Sequence, residues 1–142
     1  MHYVVIANQT LGGEALQDAL VERARQGPSR FHVVVPARRN PRGLTWTEGA
    51  SRAAAERRLA EGLRWMRSLG LQATGEVGDE NPVEAVEDAL RVGSYDEIVL
   101  STLPAGVSRW LHQDLPARLR RRVHAPVALV VSYDEGLARR VA

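Results

Sequence analysis

Residues 101–114, STLPAGVSRWLHQD, bring Ser101, Thr102, Gly106, Ser108 and Arg109 into one short stretch directly after the apolar run YDEIVL. Small hydroxyls donate hydrogen bonds, glycine lets backbone N–H groups approach a ligand, and a guanidinium forks onto an oxyanion. That set of residues suits the holding of an anion, either a nucleotide phosphate or a free phosphate- or sulfate-like group. The bland alternative is a loop whose hydroxyls close turns, with Pro104 as a stiffener and Arg109 in water.

Other chemistries fare worse. His112 and Asp114, with Ser101 or Ser108, supply the residue types of a hydrolytic triad, but no Gly-x-Ser-x-Gly elbow accompanies them and no catalytic residue is assigned. Cysteine is absent, which excludes thiol nucleophiles, disulfides and cysteine-based zinc sites. The four histidines are scattered and offer no metal-ligating set, and His32 and His124 read as structural. All 19 basic residues are arginine while the formal net charge is only +2, so basicity acts locally, as bidentate donors, and not as a field for nucleic acid. In RLRRR (118–122), Leu119 and then Val123 take the buried stripe, leaving Arg118, Arg120, Arg121 and Arg122 on a solvated face without an aromatic platform. A second cluster, Arg38, Arg39 and Arg42, either reaches a crevice ligand or stays in a loop. Trp110 and Leu111 form an apolar pair that either packs beneath the last helix or covers a ligand.

The elements that must position these groups follow from the apolar pattern. YVVIA (3–7), FHVVVP (31–36), EIVLS (97–101) and PVALVVS (126–132) are short β-branched runs without polar alternation, as buried strands are. LQATGEV (71–77) is more polar and belongs at a sheet edge. Between them lie helical stripes: Leu16, Ala19, Leu20 and Ala24; then Ala55, Leu59, Leu63, Met66 and Leu69 in a helix from about Ser51 after a long loop; then Val83, Val86 and Leu90; then Leu115, Leu119 and Val123. Asn81 is placed to cap the third helix, with Pro82 at its first position and Glu84 completing a capping box, and Asp114 to cap the last. Alternation of strand and helix predicts an open, parallel, five-stranded α/β sheet with helices on both faces. At 142 residues this is one domain, residues 1–132, with a polar tail at 133–142. No apolar run is long enough to span a bilayer and no signal peptide is evident, which predicts a cytoplasmic protein without membrane contact.

With the third strand at one edge and the fifth at the other, the expected order is 3-2-1-4-5. The switch point then lies between strands 1 and 4, where NQTLGG and the opening segment form the crevice. These segments resemble the universal stress protein family. ANQT after the first strand is similar to the family's Val-Asp-Gly-Ser, GDENPVEAV to Gly-Asp-Pro-x-x-x-Ile with two extra residues, YDEIVLS to Ala-Asp-Leu-Ile-Val-Met-Gly, and HAPVALVV to its closing His-Ala-x-Cys-Pro-Val-Leu-Val-Val. The likeness covers residues 1 to 132.

The resemblance implies a Rossmann-like, adenine nucleotide alpha hydrolase-like fold and a stress-response or regulatory binding role without catalysis. It also implies a homodimer joined through the fifth strands, here Val127, Leu129 and Val131, and a regulatory protein partner of unknown identity. Members that hold ATP carry Gly-x-x-Gly, nine residues, then Gly-Ser or Gly-Thr. Counted back from Pro126, those positions hold Leu100, Leu103, Gln113 and Asp114, while Asn8 replaces the aspartate on the base side. Leucine blocks close backbone approach, and an aspartate at the helix start sets a negative charge where phosphate would sit. The expectation is a site that does not bind ATP in the family's usual mode but uses a modified loop for a nucleotide or small anion, with Ala7, Asn8, Thr10, Val35, Ser101, Thr102, Gly106, Ser108, Arg109, Gln113 and Asp114 as candidate contacts.

Overall fold

β-branched runs form strands because their crowded side chains pack well on a pleated surface. In a computed structural model they give β1 (His2–Ile6), β2 (Arg30–Pro36), β3 (Gln72–Gly78), β4 (Glu97–Thr102) and β5 (Val127–Val131), all parallel, in the order β3-β2-β1-β4-β5. The structure describes residues 1–37, 46–104, 106 and 108–133, without the side chains of 46–51 and 109. The Arg38, Arg39 and Arg42 cluster, and the tail from residue 134 on, lie outside the described residues.

Helices cover both faces of the sheet. Against one face, α1 (Glu14–Arg25) and α2 (Trp46–Ser68) bury Leu16, Leu20, Ala55 and Met66 on Tyr3, Val5, Phe31 and Val33. Against the other, α3 (Pro82–Val92) and α5 (Leu115–Arg122) bury Val83, Val86, Leu115 and Leu119 on Val4, Ile6, Ile98 and Leu100. β1 and β4, paired at the centre, are buried along nearly their whole length. At the end of β3, a Cβ on Gly78 would meet Ala85 Cβ and Val34 Cγ1, each at 2.9 Å, so glycine is what lets α3 sit down on β2 there.

Four local expectations are corrected. The second helix begins at Trp46, not Ser51; the sequence from Thr45 to Glu48 carries the Thr-x-x-Glu pattern of a helix start, which the nearby Pro41, Gly43 and Gly49 obscured. Asn81 does cap α3, accepting from Val83 N at 3.0 Å, but its own N–H donates to Asp79 Oδ1 at 2.9 Å instead of to Glu84. A short helix, α4 (Arg109–His112), interrupts the loop after β4; Ser108 starts it by accepting from Leu111 N at 3.1 Å. Asp114 stands at the N-cap of α5 but makes no side-chain cap bond. Its backbone is left-handed (φ 54°), unlike the extended geometry that aims a cap side chain at the helix, and its carboxylate is exposed.

Candidate functional site

β1 and β4 end side by side, and their following loops part because one chain turns toward α1 and the other toward α4. The crevice between them is a cavity of about 770 Å³, within the roughly 300–1,000 Å³ range of small-molecule sites. Its floor is made of hydroxyls. Thr10 and Ser101, 91 residues apart in sequence, share a hydrogen bond of 2.6 Å between Oγ1 and Oγ, and both are buried. Thr102, 2% exposed, also lines the cavity, and among the described residues its Oγ1 has no hydrogen-bond partner. Ser132 in the neighbouring chain segment has a second buried hydroxyl without a partner among the described residues, but it lies off the cavity. A buried unpaired hydroxyl costs about 1–3 kcal/mol, which sets Thr102 apart from the paired hydroxyls of Thr10 and Ser101.

Two arginines line the walls. Arg58 of α2 donates from Nη1 to Asn8 Oδ1 at 2.6 Å, while Asn8 Nδ2 faces the Pro36 carbonyl at 3.5 Å. Arg118 of α5 also lines the cavity, and among the described residues its guanidinium has no partner. This corrects the placing of Arg118 on the outer face. Of the RLRRR group, Arg120 and Arg121 are exposed, Arg122 Nη2 lies 2.8 Å from Glu87 Oε1, and Arg118, one helical turn after Leu115, turns toward the crevice. Neither Arg58 nor Arg118 stood out in the sequence as a ligand contact. Arg58 is one of several arginines on a polar helix surface, and the offset of three residues from Leu115 was the available signal for Arg118.

Of the eleven candidate contacts, Asn8, Thr10, Ser101, Thr102, Ser108 and Gln113 line the cavity together. Ala7 and Val35 are fully buried in the core layer beneath α1 and α2. Gly106 and Asp114 are exposed and off the cavity wall, and the Arg109 side chain lies outside the described residues. Leu103 forms part of the cavity wall, whereas Leu100 points into the core under α3 and α5. Trp110, half-buried, packs on that same core, as one of its two expected roles requires, and it also lines the cavity. No group of three or more metal-ligating side chains occurs among the described residues, and no helix is long and apolar enough to cross a membrane.

The architecture matches known structures. A universal stress protein from Archaeoglobus fulgidus superposes with a TM-score of 0.67 at 20% identity, covering 92% of this chain and 93% of that one. The fold is that of the universal stress proteins. A universal stress family protein from Burkholderia pseudomallei gives a TM-score of 0.62 at 20% identity, over 91% of this chain and 94% of the other. A universal stress protein in complex with cAMP gives 0.57 at 20% identity, over 92% and 98%. No protein-family model and no curated protein matches the sequence. On the universal stress fold, the cavity described above lies at the topological switch point, between β1 and β4.

Proposed function

We propose that this chain is a small cytoplasmic regulatory protein of universal stress type that binds a compact anionic ligand in the switch-point cavity through side chains. The observation that carries this reading is Thr102: a buried hydroxyl without a partner among the described residues, in a residue that lines a cavity together with Thr10, Ser101, Ser108, Arg58, Arg118 and one carboxylate, Glu80. ATP held through bare backbone is disfavoured, because Leu103 occupies wall where a glycine would open the backbone. The negative charge proposed for Asp114 plays no part in this, since that carboxylate lies off the cavity. Residues 1–132 are the binding domain, and 133–142 are a tail available to a regulatory partner protein.

The protein acts as a homodimer joined through β5. This strand is a sheet edge with no charge along VALVV, and Leu129 is 39% exposed on it, flanked by half-buried Val127 and Val131 on the same face. One structure of like fold is described in complex with cAMP, a nucleotide with a single phosphate, so nucleotides belong in the screen. Thermal unfolding in the presence of ATP, cAMP, inorganic phosphate and sulfate tests the reading. Stabilisation by a small anion that is lost in Thr102→Val is expected; stabilisation by ATP alone, unaffected by Thr102→Val, overturns it.

A further inference from the structure

The walls of the cavity carry their charge in an unusual arrangement. Among its described lining residues the formally charged groups are Arg58, Glu80 and Arg118, and Glu80 already has an interaction of its own. Arg58 comes from α2, which packs on one face of the sheet, and Arg118 from α5, which packs on the other. The two cations therefore reach the crevice from opposite layers of the fold. Among the described residues, neither forms an ion pair with a carboxylate. Arg58 is held by Asn8, whose amide oxygen accepts a hydrogen bond but carries no charge, and Arg118 has no partner among the described residues. Thr10, Ser101 and Thr102 line the same cavity.

Accepting that a small anion binds here, we propose that the ligand is a compact dianion with two separated anionic groups, one held by Arg58 and the other by Arg118, its middle resting on the hydroxyl floor. A ligand whose one anionic group meets one guanidinium leaves the other unmatched. Two separated anionic groups match one cation each, and each meeting is a charge-assisted hydrogen bond of the strong kind. Asn8 is then a positioning residue. It fixes the Arg58 guanidinium without cancelling its charge, which an aspartate at the same place would do.

Alkane-α,ω-bisphosphonates of increasing chain length, compared with the matching monophosphonates by titration calorimetry, are the test. The expected result is an optimum length at which the bisphosphonate binds about tenfold or more tightly than the monophosphonate. Arg58→Met and Arg118→Met each remove that advantage, and Asn8→Asp reproduces the Arg58 loss. Both arginines are partly exposed, and circular dichroism of each variant checks that it is folded. Equal binding of mono- and bisphosphonates, or an advantage insensitive to either arginine, overturns the inference. If phosphate still binds and Thr102→Val abolishes it, the small-anion reading survives that failure; if no anion binds at all, both fall.

Discussion

Replacing Thr102 by valine keeps a β-branched side chain of nearly the same shape in β4 and exchanges one hydroxyl for a methyl group. In the unliganded protein Thr102 is 2% exposed and its hydroxyl is unpaired among the described residues. Its removal relieves a desolvation cost of about 1–3 kcal/mol, and a methyl group adds apolar contact in its place. For a domain of this size each kcal/mol moves the melting temperature by about 3–4 °C, so the unliganded variant should melt at least about 3 °C above the wild type. The ligand sees the opposite effect. Losing a hydrogen bond to a charged group costs roughly 1.5–3 kcal/mol, which is on the order of tenfold to a hundredfold in affinity. Calorimetric melting with and without phosphate reads both quantities in one experiment. A stabilised apo protein with a reduced ligand shift is the signature of a residue kept for binding at the expense of stability. If the valine variant melts below the wild type, the hydroxyl has a structural partner and the reasoning fails.

Three further outcomes are expected. Gly78→Ala pushes a Cβ to 2.9 Å from both Ala85 and Val34, an overpacking that should lower unfolding free energy in urea by about 1–3 kcal/mol. Burial, and then the charge of Arg30, hold the His2 imidazole below its ordinary value, so the unfolded chain takes up a proton that the native chain resists. The corresponding stability is complete above about pH 6.5 and is lost as pH falls through that value toward the lower native pKa; His2→Phe, which keeps a ring against Tyr95, should flatten that part of the urea profile. Leu129→Lys sets a charge in the middle of the exposed β5 edge, and light scattering should register a shift from dimer to monomer with the circular dichroism spectrum unchanged.

Strand identity was legible because burial on both faces leaves an unbroken apolar run, as in YVVIA and EIVLS, and because the one polar run, QATGEV, is polar for the reason that it forms the edge strand β3. The α3 start was legible because Asn-Pro states the cap and the first turn in adjacent residues. Part of the site was legible for a similar reason, since Ser101 and Thr102 continue a predicted strand toward its carboxyl end. The pairing of Thr10 with Ser101 was not, because it depends on two strand ends meeting across 91 residues. Arg58 and Arg118 were hidden by chemistry: a guanidinium on a helix flank has the same letter whether it turns to water or to a cavity, and only the position of the sheet ends decides. Asp114 misled in the other direction, since its residue type suits a cap but its left-handed backbone does not.

The central claim, that side chains at the switch point hold a small anion, is tested most directly by titrating inorganic phosphate into the isotopically labelled protein and following its NMR spectrum. Saturable shifts are predicted at Thr10, Ser101, Thr102 and Ser108 and at the side-chain Nε of Arg58 or of Arg118. Shifts confined to the exposed Arg120 and Arg121, or no saturable shift at the cavity, would contradict it.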